Sequence, residues 1–263
     1  MKRHLATAVH LQMSNSSEQP PAIDLPGDLD TLLAVCRPLR HSTSWGNSDV
    51  YVYECDGRQF LVKTFGRHNW LARLLFGGSI RTEYSLLVQL ARHCPSVAPL
   101  PYAMVGKYTL VMEFINDGQP LQSRRHYTDG TVPPPEFFLN LCEVLERLHR
   151  AGFAHGDFRR ANLLITAGNG VRIIDWGTGS HLSSAEHAGW LRRKLHRWRV
   201  RSDLFSLVKI TESYYHGILP PSLSSAAQPG ALLKAARFVR RHFYRHGLKR
   251  LFDCFRKDEH PHD

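Results

Sequence analysis

Asp157, Asn162 and Asp175 have side-chain types and a spacing that could do chemistry together. Asp157 and Asn162 stand five residues apart, and Asn162 and Asp175 thirteen apart, within HGDFRRANLLI (155–165) and RIIDWG (172–177). Asp157 falls in a loop after a helix. Asn162 opens a short strand, and Asp175 ends the next one before a Trp-Gly turn. A hairpin of that length brings Asn162 and Asp175 side by side, because both flank the same open end. Two oxygen-bearing side chains there can hold Mg2+, a hard cation that binds through one or two carboxylates plus substrate phosphates. Asp157 then lies beside the metal, where it can accept the proton of an acceptor hydroxyl or orient that hydroxyl for in-line attack.

A second pair lies upstream. Lys63, in FLVKTF, is flanked by Leu61, Val62 and Phe65, an awkward setting for a plain surface lysine. Glu83 follows twenty residues later and shares a helix face with Leu87 and Leu90. A glutamate on an inward stripe needs a cation, and Lys63 is the natural one. Between two strand-like stretches stands HSTSWGNSDVYV (41–52), where backbone N–H groups around Gly46 and the hydroxyls of Ser42, Thr43, Ser44 and Ser48 can contact phosphates. Arg159, two residues after Asp157, can meet phosphate oxygens bidentately. Arg160 can grip an acidic acceptor, and a plain surface role stays open for both arginines. His155 supports the loop.

These groups need a sheet and helices to position them. The pattern predicts a short helix over 28–39, then strands over 50–54 and 59–64 around an Asp56-Gly57 turn, a strong hairpin signal. Helices over 70–76 and 80–92 follow, then a hairpin over 102–105 and 108–113. Residues 117–135 are polar, with Gly and Pro, and mark a boundary. An amphipathic helix over 135–151 carries Leu139, Leu141, Cys142, Val144, Leu145 and Leu148 and stops at Gly152. Short strands over 162–165 and 171–174 flank the turn 167–170. From about 187 onward the pattern is helical with basic faces. The fold class is α+β in two lobes, a small antiparallel sheet and a mainly helical part. The division is an N-terminal extension over 1–36, a nucleotide-binding lobe over 37–117 and a catalytic lobe over 118–263.

The order H-x-D, four residues, Asn, then D-x-G resembles the catalytic and metal-binding loops of the protein-kinase-like superfamily. That resemblance implies ATP and Mg2+ as cofactors, with Asp157 and Arg159 catalytic and Asn162 and Asp175 on the metal. It implies that Lys63 meets the α- and β-phosphates and pairs with Glu83. It also implies that Ser44 and Gly46 lie against the phosphates. The stretch 112–115 becomes a hinge meeting adenine through backbone groups, with Glu113 and Ile115 as contacts. The phosphate loop departs from the pattern, for it contains no G-x-G-x-x-G. There is also no A-P-E after Asp175, which argues against an ordinary peptide kinase. A compact chain with a Ser-rich loop looks like the bacterial lipopolysaccharide-core (Kdo and heptose) kinases and RIO-type kinases. It also looks like aminoglycoside and choline phosphotransferases. A pseudokinase scaffold is the non-catalytic alternative, against which all five key side chains stand.

Charge bears on the acceptor. The chain of 263 residues has a formal charge of +11, concentrated in 192–201 and 234–257. Such a balance suits an anionic partner, and with the resemblance it implies a hydroxyl-bearing glycolipid acceptor and peripheral contact with the cytoplasmic membrane face. A basic helical stretch at 232–244 could lie on acidic headgroups or pack as an ordinary helix. No nucleic-acid motif accompanies the charge, so no specific nucleic acid is expected. No apolar run reaches the length of a membrane span. The basic start is broken by His10 and reads as a flexible leader, not a signal peptide. The cysteines Cys36, Cys55, Cys94, Cys142 and Cys254 form no CxxC pair, which points to a reducing, cytoplasmic setting.

Overall fold

The computed structural model describes residues 23, 25–41, 47–68, 70–128, 130–182, 189–221 and 223. The N-terminal lobe is a five-stranded antiparallel sheet ordered β1-β2-β3-β5-β4. Its strands are β1 (Arg37–Arg40), β2 (Asp49–Cys55), β3 (Arg58–Thr64), β4 (Pro101–Val105) and β5 (Thr109–Glu113). Side chains alternate across it. Phe60, Val62 and Val111 face outward, onto Leu32 and Leu33 of helix α1 (Leu29–Ala34). Leu110 and Met112 face inward, onto helix α2 (Trp70–His93).

Helix α1 falls within the 1–36 stretch read as an extension, yet its leucines are built into the sheet's outer core. Asp28 caps it, its Oδ1 accepting from the Thr31 N–H at 2.9 Å. The helix ends earlier than 39, because Arg37–Arg40 pairs with β2 as an edge strand. Helix α2 runs unbroken through Gly77 and Gly78, where two helices were expected. Tyr108 explains the first glycine: a Cβ at Gly77 would stand 2.6 Å from its ring.

The C-terminal lobe is built on α3 (Pro135–Arg150), opened by a proline in its first turn. Phe137, Phe138, Leu141, Leu145 and Leu148 are all but fully buried, whereas Leu139, counted in the apolar stripe, is exposed. Strand β6 (Gln119–Pro120), inside the polar boundary segment, pairs with β8 (Leu163–Thr166), which pairs with β9 (Gly170–Ile173). Strands β7 (Phe153–Ala154) and β10 (Ser180–His181) form a second small ladder. Helix α4 (Trp190–Glu212) takes up the 192–201 basic run. The 232–244 helix, the 234–257 charges and Cys254 lie outside the described residues.

Candidate active site

The period-2 alternation of β3 turns Lys63 to the inner face, opposite Leu110 of β5. There the Lys63 Nζ is 2.7 Å from Glu83 Oε2 and 2.7 Å from Asp175 Oδ1. Glu83 is 1% exposed, and its other oxygen accepts the Trp176 N–H at 3.2 Å. A buried carboxylate is tolerable only when its charge and lone pairs are met, and both oxygens are met here. Burial pulls the Lys63 ammonium down, but the Glu83 and Asp175 carboxylates outweigh it and hold the pKa above the usual lysine value. Burial likewise pushes the Asp175 carboxyl up, and Lys63 more than reverses it, leaving Asp175 below the usual carboxylate range.

The expected hairpin forms. Leu163 pairs with Ile173, and the Ile174 N–H donates to the Asn162 carbonyl at 2.9 Å, so Asp175 emerges one residue past Asn162's partner. Asp175 itself adopts φ 65° and ψ 64°, a left-handed conformation that Asp accepts better than most residues. The Asn162 amide Nδ2 donates to the Asp157 carbonyl at 2.9 Å. These bonds use Asn162 Nδ2 and Asp175 Oδ1, and the oxygens left over, Asn162 Oδ1 and Asp175 Oδ2, are hard donors that fit Mg2+. Among the described residues no group of three or more His, Cys, Asp or Glu side chains could hold a metal, so an ion held by Asn162 and Asp175 would need phosphate and water for its other ligands.

His155 is 1% exposed and locks the two loops together. Its Nε2 donates to the Ile174 carbonyl at 2.9 Å, and its Nδ1 accepts the Asp157 N–H at 3.2 Å. Those partners place the ring hydrogen on Nε2, and both ring nitrogens serve to tie the loops together. Its ring meets Trp176 edge to face at 4.8 Å between centroids.

Sequence reasoning missed Asp203 of α4. It is wholly buried, and it accepts the backbone N–H groups of His155 at 2.7 Å and Gly156 at 2.9 Å. It therefore fixes the loop that carries Asp157. Gly156 sits at φ 78°, and a Cβ there would stand 2.9 Å from the Thr178 carbonyl, so the loop needs glycine as well as the Asp203 anchor. The signal was present as Asp203, Leu207 and Ile210 at i, i+4 and i+7 on one buried face, but the surrounding arginines drew attention to charge.

The remaining expected residues divide. Arg159 is on the site: its Nε lies 3.1 Å from Asp157 Oδ2, with the side chain 59% exposed. The Glu113 carboxylate serves the lobe junction, pairing with Arg172 of β9 and accepting the Leu100 N–H at 2.9 Å. The Glu113 N–H donates to the Leu100 carbonyl at 2.8 Å, and the Ile115 carbonyl accepts from Gly118 at 3.2 Å. Two of the four hinge backbone groups assigned to adenine are thus spent inside the protein. Ser44 and Gly46 lie outside the described residues. Ser48, at the end of that loop, is 3% exposed, and its Oγ has no hydrogen-bond partner among the described residues.

Comparison with known proteins agrees with this geometry. The family described as "Protein kinase domain" matches residues 50–198, which span Lys63, Glu83, Glu113, Ile115, His155, Asp157, Arg159, Asn162 and Asp175 but not Asp203 or the serine-rich loop before Val50. The chain belongs to the protein kinase family. The serine/threonine-protein kinase PknB of Mycobacterium leprae is 38% identical over 128 residues, 43% of this chain and 19% of that protein. PknB of Mycolicibacterium smegmatis is 34% identical over 32% of this chain and 13% of that protein. A "Probable bifunctional tRNA threonylcarbamoyladenosine biosynthesis protein" of Methanosarcina acetivorans is 30% identical over 51% of this chain and 23% of that protein. The matched stretches thus span under a quarter of each relative's length. In this kinase domain Lys63 of β3 pairs at once with Glu83 of α2 and with Asp175 after β9.

Proposed function

We propose that this chain is an active kinase, using ATP and Mg2+ to place the γ-phosphate on the hydroxyl of an anionic acceptor. The observation that carries the reading is the Lys63 bridge. One ammonium spans Glu83 and Asp175, which ties α2, the sheet and the metal loop into a single arrangement. A pseudokinase scaffold has no need of that arrangement with Asp157 and Asn162 beside it.

The residues divide the work. Lys63, held by Glu83, is placed to neutralise α- and β-phosphate oxygens. Asn162 Oδ1 and Asp175 would hold Mg2+, which when bound neutralises charge on the phosphates. Asp157 orients the acceptor hydroxyl and takes its proton. Arg159, now on Asp157, is within reach of the transferred phosphoryl group and can stabilise its charge. The other two hinge groups, the Glu113 C=O and the Ile115 N–H, are assigned to adenine. Ser48 Oγ, with Ser44 and the backbone at Gly46, is assigned to the phosphate loop.

The anionic acceptor is supported by the segment at β6, which packs against Arg160–Asn162 in the loop that follows Asp157. Arg124, Arg125 and His126 form a turn after β6. Tyr127 and Tyr214 meet edge to face beside that turn at 6.2 Å between centroids, and both bond to Gln122 backbone groups. Burial pushes the Tyr214 hydroxyl up to about 12, Tyr127 adds to this, and Arg160 opposes it, which sets Arg160 on the same surface. The acceptor side is therefore basic. A phosphorylated, lipid-linked sugar of the lipopolysaccharide-core kind fits such a surface, at the cytoplasmic membrane face. The printed names of the PknB relatives favour a second reading, a serine or threonine hydroxyl in an acidic protein segment. A transfer screen with labelled ATP tests both: core-sugar precursors, acidic and basic peptides, and aminoglycosides, each with wild type and Asp175→Ala. Transfer to neutral or cationic acceptors alone would overturn the anionic assignment. Absence of any Mg2+-dependent ATP turnover would overturn the kinase reading itself.

A further inference from the structure

Helix α2 has a second face. Trp70, Leu74, Gly78, Arg81 and Ser85 recur every three or four residues, on the side away from buried Ile80, Glu83 and Leu87. Trp70 and Leu74 are each 69% exposed, and Leu75 beside them is 54% exposed. The first turns of α4 repeat the composition: Trp190 is 67% exposed, Leu191 56% and Leu195 47%. Of nine exposed large hydrophobics among the described residues, these two helix starts hold six. Folded monomers scatter such residues, and a cluster marks an interaction surface.

The outer stripe of α2 leads to the start of α4. A cleft of about 930 Å³ lies between the middle of α2, where Arg81 and Ser85 continue the Trp70–Leu74 stripe, and the first turns of α4, and it is lined by Arg81, Thr82 and Ser85 and by Leu191, Arg192 and Leu195. Its charge has one sign. From 70 to 82 the chain carries Arg73 and Arg81 and no carboxylate; from 189 to 202 it carries Arg192, Arg193, Lys194, Arg197, Arg199 and Arg201, again with no carboxylate. Lys194 lies over the Trp190 ring, its Nζ 5.6 Å from the centroid. Exposed tryptophans and leucines interleaved with cations are the composition of an interfacial surface: the rings suit the headgroup boundary and the cations suit anionic lipid. An acidic protein would explain the arginines but not two exposed tryptophans with four leucines. A second copy would bring like charge against like.

We propose that the joint face of the α2 and α4 starts docks this kinase domain peripherally on an anionic lipid bilayer. No helix among the described residues is long and apolar enough to cross a membrane, so the contact is one of lying on the surface. The inference deepens the anionic-acceptor reading by adding a lipid surface, yet its test does not need an acceptor.

The test is co-sedimentation of the full chain with vesicles of phosphatidylcholine alone and of phosphatidylcholine with about one quarter phosphatidylglycerol. Wild type is expected to bind the anionic vesicles at least tenfold better than the neutral ones. Trp70→Ser with Leu74→Ser, and separately Trp190→Ser with Leu191→Ser, should each cut that binding about tenfold. Lys194→Glu with Arg197→Glu should do so too and lower its salt dependence. All three double variants should keep Mg2+-ATP thermal stabilisation, which separates failure here from failure of the kinase reading. Vesicle binding unchanged in all three would overturn the proposal, since other basic segments would then carry it. So would equal binding to neutral vesicles. Concentration-dependent dimers lost in the same variants, without vesicle binding, would assign the face to a second copy.

Discussion

The two faces of α2 break the ordinary rule of burial in opposite directions. On the inner face a charged residue, Glu83, is 1% exposed; on the outer face Trp70 and Leu74 are each 69% exposed. The inner anomaly is resolved inside the molecule, because Lys63 and the Trp176 N–H meet both carboxylate oxygens. The outer anomaly has no resolution among the described residues. The lesson is how each kind of residue reveals function. A buried charge points to its partner and so to an internal site, whereas an exposed apolar cluster points out of the protein.

The largest effect expected lies on the inner face. Asp175→Ala should lower Mg2+-dependent ATP turnover about a thousandfold or more, since it removes the proposed metal ligand and one of the two anions on Lys63. The fold should survive, because the Asp175 side chain is 45% exposed and Glu83 still pairs Lys63. Glu83→Ala is the sharper contrast. It strands the Trp176 N–H and half-unpairs a lysine only 13% exposed, and should cost about 3 kcal/mol of stability. Chemical denaturation of the two variants side by side reads the difference. Equal stability losses would mean that the inner network is not held from α2.

Asp203→Ala comes next. Two backbone N–H groups, of His155 and Gly156, lose their acceptor, at a cost of about 2–4 kcal/mol. The loop carrying Asp157 then loosens, and a small displacement of a positioned group is worth about a hundredfold in rate. The drop should fall on kcat, with KM for ATP nearly unchanged, because Lys63 and the hinge are untouched. Asp203→Asn, which keeps one carbonyl acceptor, should recover part of the rate. A fall in ATP affinity instead would place Asp203 in a different role.

A smaller effect tests the inner network by pH. Asp175 is held below its ordinary pKa by Lys63, so its contribution is complete above the unfolded value near 4 and is lost as pH falls through the folded one. Lys63 is held above its ordinary value, so its contribution is complete below about 10.4 and is lost as pH rises through the folded one. The stability gap between wild type and Asp175→Asn should therefore be flat from about pH 5 to 9 and shrink below about pH 4. Urea melts at stepped pH would show it. A gap that grows on acidification would reverse the sign of the coupling.

How much of this was legible in the sequence follows from where each signal is stored. Asp157, Asn162 and Asp175 lie within nineteen residues, and one hairpin register suffices to join them. Lys63 and Glu83 needed only strand alternation and a helical stripe, both local. Asp203 lies 46 residues beyond Asp157 and acts on its loop through tertiary packing; its spacing with Leu207 and Ile210 marks it as inward-facing, but nothing local names the His155 and Gly156 N–H groups as its partners. Strand β1 was taken for a helix tail because an edge strand exposed throughout carries no alternating pattern to read. The lone carboxylate at Glu113 was read for its backbone, while its side chain had been claimed by Arg172 from a distant strand. The outer face was hidden for a different reason. Leu74 and Leu75 look like core residues in sequence, and only the fold shows which side they take.

The smallest predicted effect uses the two glycines that divide these faces. Gly is the poorest helix former after Pro, so propensity alone splits α2 at Gly77-Gly78. The observed helix is continuous, and the two positions differ in what surrounds them. A Cβ at Gly77 would stand 2.6 Å from two atoms of the Tyr108 ring, while a Cβ at Gly78 would meet nothing within 4 Å. Gly78→Ala should therefore stabilise the protein by about 0.5–1 kcal/mol, through the unfolded chain's lost freedom and the gain in helix propensity. Gly77→Ala makes the same gain but must displace Tyr108, packed against the main core, and overpacking of that kind costs about 1–3 kcal/mol. The pair should thus move thermal stability in opposite directions. Identical small gains would mean that Tyr108 yields freely and that the inner face is looser than drawn. Identical losses would mean that Gly78 is a true break, with Trp70 and Leu74 no longer in register with Arg81 and Ser85. In that case the continuous outer stripe, and the docking face built on it, would have to be given up.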